Sequence, residues 1–428
     1  MGRFKQILLS ITLLIFLSPL IEENFHLINL SQLKGSFTKA DKVELTLNSW
    51  FDHDFQKNYE PYINDHFGLR NFFIRIHNQV EFSLFNQIKV QQAVIGKNNY
   101  LYGEGYIKAY IGDDFVGDSI VSEKVEELES ISYNLKKKGK ALIVILAPGK
   151  ASYMPENFPE KYDSAEIKRS NYLAYSQKLK QSNVTVMDCN AWFLSLKNTT
   201  KYPLYPKTGV HWSVFGEVMV IDSLSKLIEK KLSVNLPRLI IHKIDTSTKM
   251  EGTDEDIEES MNLLFDIPDL KMGYPRYEFE PDAKTDQVKA LTIGDSYFSR
   301  IQEITDEELF DQGEFWYYFK SVNRPNSIGI QVSDLDIEKE ILDKDVIILI
   351  NTEANLSDFG HGAINIIGRT LEESGSFNYK QKVEELIKEM KRNQEWLDQL
   401  KKKAADYGMT LEETMVLDAE HLLKNNSF

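Results

Sequence analysis

The sequence predicts an α/β protein: a doubly wound, mostly parallel sheet with helical additions at both ends. Three observations carry this reading. The runs Ala141-Leu142-Ile143-Val144-Ile145-Leu146-Ala147 and Val346-Ile347-Ile348-Leu349-Ile350 are continuously apolar, as strands buried on both faces are. Such runs alternate with amphipathic stretches of helical period, which implies crossover connections between parallel strands. Polar residues gather directly after two of the runs, at Gly294-Asp295-Ser296 and Asn351-Thr352-Glu353, where open sheets of this kind meet their ligands.

The elements follow in order. Arg3 and Lys5 precede the 15 uncharged residues 7–21, and Glu22, Glu23 and Asn24 follow at once without a small-residue cleavage site. This pattern predicts a signal anchor over 1–24 that is not cleaved, positive side in, with the rest of the chain exported. A buried N-terminal helix is the competing reading. Residues 25–90 read as a helical extension whose aromatic stripe, from Trp50 and Phe51 to Phe82 and Phe85, is packing surface. Asp52-His53-Asp54 is taken as a solvated helix start, because adjacent residues on a helix do not share a face.

The main domain is expected over 91–370. It opens with a hairpin over 93–102 that turns at 96–99, then a helix near 122–138 that ends in lysines and Gly139. A strand at 141–147, a helix near 164–181, a strand at 184–188 and a helix near 216–231 continue the alternation. Further strands are expected at 238–242, 288–293 and 345–351. Between 245 and 286 the chain is acidic and irregular, and reads as a surface loop with one short helix. Its Asp254-Glu255-Asp256 cluster is taken as solvated loop in preference to a cation site. The tail, 371–428, is helical and charged, with Trp396, Leu397 and Leu400 on a stripe expected to pack back on the domain. The whole is a flavodoxin-like arrangement.

Composition narrows the partners. A net charge of −15 over 428 residues argues against a nucleic-acid partner and against binding along an anionic membrane surface. Cys189 is the single cysteine, so no internal disulfide supports the fold. With eight histidines besides, little room is left for a multi-ligand zinc site, and neither metal nor cofactor is expected.

The segment 288–297 carries the chemistry. A strand stops at Gly294, which shapes a tight turn, and Ser296 is presented at the strand's C-terminal end before a helical segment. A nucleophilic serine needs such exposure, together with backbone N–H groups for an oxyanion. His211, beside Trp212 in the loop before the helix at 216, suits a general base, because its unperturbed pKa lies near working pH.

In several short motifs the chain resembles the SGNH-hydrolase-like family of exported polysaccharide O-acetyltransferases, which includes the alginate O-acetylation proteins. The motifs are Tyr62-Ile63-Asn64-Asp65-His66-Phe67-Gly68-Leu69-Arg70, the hairpin Val94-Ile95-Gly96-Lys97 to Tyr100-Leu101-Tyr102, and Ala147-Pro148-Gly149-Lys150. Residues 155–159, His211-Trp212 and Gly294-Asp295-Ser296-Tyr297 complete the series. The serine block follows the histidine block, a permuted order relative to SGNH esterases. The resemblance implies acetyl transfer through an acyl-serine on Ser296, with His211 as general base. It further implies a membrane-bound acyltransferase as acetyl donor and a polysaccharide hydroxyl as acceptor, in the periplasm or at the cell surface. The oxyanion would be held by the N–H of Ser296 or Tyr297 and by a side chain from Asn351 or Asn355.

One position departs from the family pattern. The histidine block is usually Asp-x-His-Trp, and here Gly209 stands in place of the aspartate. Glu353, or a backbone carbonyl, is the expected substitute for orienting His211, while Asp295 is expected to be structural. An esterase of the same fold shares the nucleophile and base. A non-catalytic glycan-binding or assembly subunit is the third reading, in which Trp192, Trp212, Trp316, Tyr317 and Tyr318 are either sugar platforms or core.

Overall fold

The computed structural model of the chain describes residues 2–25, 31–35, 38–280, 285–324, 329–373 and 379–425. Four helices come first: α1 (Gly2–Phe25), α2 (Leu47–Phe51), α3 (Asp54–His66) and α4 (Arg70–Phe85). Helix α1 is long and apolar enough to cross a membrane, and its apolar window is unburied by the rest of the protein. Its last turns meet the bend ahead of α4. A Cβ on Gly68 would stand 2.1 Å from the Pro19 carbonyl oxygen, so glycine is required there.

The hairpin β1 (Ala93–Ile95) and β2 (Leu101–Gly103) follows as expected, then α5 (Glu104–Ile111) and α6 (Asp118–Lys137). Next come β3 (Ala141–Ala147), α7 (Lys150–Tyr153), α8 (Asn171–Gln181), β4 (Thr185–Asp188), α9 (Cys189–Leu196) and α10 (Val214–Leu232). The chain continues through β5 (Arg238–Ser247), α11 (Asp256–Met261), β6 (Met272–Glu280), β7 (Lys289–Gly294) and α12 (Ser299–Glu308). It closes the domain with β8 (Gln312–Tyr317), β9 (Ser321–Asn323), α13 (Ile337–Asp343), β10 (Val346–Thr352) and α14 (Ala363–Glu373). The tail is α15 (Tyr379–Arg392), α16 (Gln394–Tyr407) and α17 (Leu411–Asn425).

The central sheet has the order β4-β3-β10-β7-β8-β9, parallel except for β9 at its edge. Every residue of β3 and β10 is buried, because helices cover both faces. Alternate side chains serve opposite cores. Leu142, Val144, Ile347 and Leu349 pack with Leu128 and Ile131 of α6 and Ile364 and Ile367 of α14. Ile143, Ile145, Ile348 and Ile350 pack with Ile221 and Leu224 of α10 and Ile301 of α12. The doubly wound architecture read from the sequence is the one observed, and its chemistry gathers at the C-terminal ends of β3, β10 and β7.

Three local expectations change. The strand expected at 238–242 is not part of the central sheet. It belongs to β5, which pairs antiparallel with β6 in a separate two-stranded ribbon. Strand β6 lies in the stretch read as irregular, where Pro275 and charged residues dilute the strand signal. Strand β8 had no counterpart in the reading: Gly313 and Glu314 interrupt its apolar run, although Glu314 is buried and paired with Lys344 at 3.1 Å. In the tail, Leu400 joins Met390, Met415 and Ala419 in a small core of the three helices' own, and α15 rests on α6.

Candidate active site

The site grows from the exit of β7. Gly294 lies against β10, where a Cβ would come 2.2 Å from the Ile350 carbonyl oxygen. Asp295 is fully buried. Its Oδ2 accepts from the Thr352 N–H, the Thr352 hydroxyl and Asn355 Nδ2, each at 2.8 Å, and Oδ1 accepts from Tyr297 N–H at 3.2 Å. This carboxylate therefore fastens the end of β7 to the end of β10. Ser296 is left as the first residue of a helical turn (Ser296–Phe298) that runs into α12. Ser296 therefore stands at a helical N-terminus, where partial positive charge favours a developing anion.

His211 arrives on the loop that enters α10. Ser213 caps that helix, accepting from Gly216 N–H at 3.1 Å and donating to the Pro203 carbonyl at 2.8 Å. Trp212 points inward, buried against Tyr297 (5.1 Å between rings) and Phe193, so it is packing and not a platform. Tyr297 is likewise buried. Its ring lies 4.8 Å from that of His211, and its hydroxyl donates to the Val210 carbonyl at 2.7 Å. The two aromatics wall the imidazole from behind.

His211 Nε2 and Ser296 Oγ are 2.9 Å apart. On the other side of the ring, Nδ1 contacts Asp256 Oδ2, while Asp256 Oδ1 accepts from Val210 N–H at 2.8 Å. A carboxylate can only accept, so Nδ1 carries the hydrogen and the Nε2 lone pair faces the serine. Burial lowers the imidazole pKa, but the hydrogen bond and charge of Asp256, with Asp295 and Glu217 behind, raise it overall.

Asp256 is the first residue of α11, and it corrects the reading of 254–256 as solvated loop. Asp254 is fully buried, accepts from Val214 N–H at 3.2 Å, and has its carboxyl pushed up to about 7 by burial. Gly209 explains the arrangement. A Cβ there would stand 2.6 Å from the Thr253 carbonyl oxygen and 2.8 Å from that of Asp254. The segment bearing Asp256 thus occupies the space an aspartate side chain at 209 would need, and its own carboxylate reaches the imidazole instead. The glycine at 209 signalled that a carboxylate had to come from elsewhere. Nothing in the sequence singled out Asp256 among its acidic neighbours.

The remaining expected residues are placed differently. Glu353 does not reach His211. It is buried at the end of β10, accepts from the Ser152 hydroxyl, and burial pushes its carboxyl up to about 8. Asn351 is buried too, with Nδ2 2.9 Å from His361 Nε2 and Oδ1 accepting from Gly360 N–H at 3.2 Å, a brace within the sheet exit. Asn355 spends its amide on Asp295 and on the Thr352 hydroxyl at 3.2 Å. Trp316 is core on one face of the sheet, Trp192 packs at the edge of the opposite core against Phe193, and Tyr317 and Tyr318 stand half-buried at the exit of β8. Among the described residues no group of three or more His, Cys, Asp or Glu could hold a metal ion.

One residue outside the expected set supports the histidine loop. Lys150, fully buried at the exit of β3, donates to the carbonyls of Leu101 (2.7 Å), Lys207 (2.7 Å) and Gly209 (2.8 Å). Burial lowers its pKa to about 7.

Comparison with known proteins finds a similarity over part of the chain. Residues 93–255 match the SGNH hydrolase-like domain of acetyltransferase AlgX. The matched segment contains His211 and stops one residue before Asp256. Among solved structures, the O-acetyltransferase domain of Pseudomonas putida AlgJ is similar over 66% of this chain and 99% of its own, at 14% identity and TM-score 0.41. Bacillus cereus PatB1, solved with a sulfonyl adduct, is similar over 57% of this chain and 93% of its own, at 12% identity and TM-score 0.39. Pseudomonas aeruginosa AlgX follows at 14% identity, 62% of this chain and 66% of its own, with TM-score 0.38. No curated protein matches the chain.

Proposed function

We propose that this chain is an extracytoplasmic O-acetyltransferase that passes an acetyl group through Ser296 to a hydroxyl of a polysaccharide. The observation that carries the proposal is the relay Ser296–His211–Asp256 at the exit of β7. The match of residues 93–255 to an acetyltransferase domain supports the choice of acyl group.

In this reading the Ser296 hydroxyl gives its proton to His211 Nε2 as Oγ attacks the carbonyl carbon of the donor ester. Asp256 holds the ring by its Nδ1–H and stabilises the imidazolium that forms. The tetrahedral oxyanion is met by the Ser296 N–H at the helical N-terminus. Tyr297 N–H is already engaged by Asp295. Collapse breaks the ester bond, and the imidazolium protonates the departing alkoxide. A sugar hydroxyl then attacks the acetyl-serine, His211 takes its proton, and the acetylated sugar leaves with Ser296 restored. The donor is a membrane-bound acyltransferase, and α1 keeps the enzyme beside it.

The test uses p-nitrophenyl acetate with the wild type, Ser296→Ala and His211→Ala, and mass spectrometry of the intact chain. Turnover should collapse in both variants, and an acetyl adduct should appear on Ser296 of the wild type. Equal turnover in all three, without adduct, would remove the catalytic reading.

A further inference from the structure

The carboxylate that orients His211 rides on a helix of only six residues, α11 (Asp256–Met261). A helix this short has no stability of its own and keeps its place only through what holds it. Asp256 at its first position meets His211 and Val210. At the other end the contacts come from the N-terminal extension. Asn78 Nδ2 donates to the Met261 carbonyl at 2.7 Å, and Arg75 Nη1 donates to that of Leu263 at 3.1 Å. Gln79 Oε1 accepts from the N–H groups of Leu264 and Phe265, at 3.1 and 3.0 Å. These are the last carbonyl of α11, a carbonyl just past its end and the first amides beyond, groups that otherwise fray.

Arg75, Asn78, Gln79 and Phe82 stand at i, i+3, i+4 and i+7 of α4, so one face of that helix makes every one of these contacts. Phe82 adds an apolar contact to the cluster of Ile257, Met261 and Leu263. The bonds are to backbone, which fixes the height and rotation of α11 whatever side chains it carries. Had position 209 kept an aspartate, the orienting acid would sit on the histidine's own loop and α4 would be remote from the chemistry.

We propose that Asn78 and Arg75 are positioning residues for catalysis: α4 of the N-terminal extension holds α11 so that Asp256 reaches His211. This rests on the catalytic reading of Ser296, His211 and Asp256 given above. The extension is then part of the active site's scaffold, and a movement of α4 would change the rate at Ser296.

Two isosteric substitutions separate this from a general structural role, in the full-length chain in detergent with p-nitrophenyl acetate. Asn78→Asp removes the donor to Met261 and sets a carboxylate against its carbonyl. Gln79→Glu keeps the Oε1 acceptor for Leu264 and Phe265. Both add one negative charge to the same helix face. Asn78→Asp should lower kcat by about 10- to 100-fold, whereas Gln79→Glu should stay within about twofold of wild type. In an Asp256→Ala background Asn78→Asp should cost nothing further, because the group it positions is gone. Arg75→Met, which deletes the bond to Leu263, is the second probe should Asn78→Asp not fold, with the same non-additivity expected. Wild-type kcat in Asn78→Asp and Arg75→Met, or equal losses with and without Asp256, would overturn the proposal. Ser296→Ala run alongside keeps the two readings apart: if it alone is inactive, the acyl-serine stands and the role of α4 falls.

Discussion

At the scale of single residues, two carboxylates have different parts: Asp256 belongs to the relay, and Glu353 lies outside it at the exit of β10. Asp256 both orients His211 and raises its pKa, so the imidazole must lose a proton held more tightly than usual before it can act as a base. Asp256→Asn should lower kcat by a factor of up to about 10⁴, the loss known for the equivalent change in a serine protease. The acid limb of the kcat/KM profile should move to lower pH at the same time, and a limb unmoved in a stopped-flow pH series would refute the coupling. Glu353, in contrast, is a protonated carboxyl in waiting. Its folded pKa of about 8 exceeds its unfolded value near 4.5, so the folded state keeps a proton that the unfolded state loses between those pH values. Stability should therefore fall as pH rises through that window. Glu353→Gln should remove the slope and stabilise the protein at pH 8, with ester turnover unchanged. Parallel melting lines for the two proteins from pH 5 to pH 9 would refute it. The positions of Ser296 and His211 were legible in the sequence because a strand end and a loop before a helix have signatures, and the fold brings the two side chains together. Asp256 was not, because the contact is made by folding across a long insertion and leaves no trace in spacing.

At the scale of elements, Lys150 decides how the histidine loop is held. Three carbonyls from β2 and from residues 207–209 converge on one ammonium, which uses all three of its N–H bonds. A neutral side chain of similar length cannot satisfy them, and buried carbonyls left without donors cost about 1–3 kcal/mol each. Lys150→Met should accordingly lower the urea midpoint, by about 3 kcal/mol in stability, and slow ester turnover as the loop loosens. A midpoint equal to that of wild type would show that the carbonyls find other donors. The elements themselves were legible wherever period and composition agree. Strands β3 and β10 are uninterrupted apolar runs, and their burial on both faces follows. Strand β8 was hidden because Glu314 sits inside the sheet and is tolerated only through Lys344 and the Trp316 indole, a pairing that sequence does not display. Strand β5 was legible as a strand but not in its place, since register and partner are set by β6, which follows a long stretch of weak signal.

At the scale of the whole molecule, the apolar helix α1 and the candidate site lie at two ends of one run of contacts. Helix α1 meets the bend at Gly68, α4 begins at Arg70, and its far face clamps the helix that presents Asp256. In the proposed reading, where the donor is a membrane protein, this continuity would hold the scaffold of the site relative to the bilayer. In that reading orientation follows from charge: Arg3 and Lys5 precede the apolar run, and acidic residues come directly after it, a pattern that favours the N-terminus inside. A full-length chain carrying alkaline phosphatase at its C-terminus should be active in cells, the corresponding green fluorescent protein fusion should be dark, and the chain should stay with membranes through a carbonate wash. Reversing the flank, with Arg3→Glu, Lys5→Glu, Glu22→Lys and Glu23→Lys, should invert both reporters. A bright fluorescent fusion of the wild-type chain would put the relay on the cytoplasmic side, away from any exported polysaccharide, and would defeat the transferase reading even with an acetyl group trapped on Ser296.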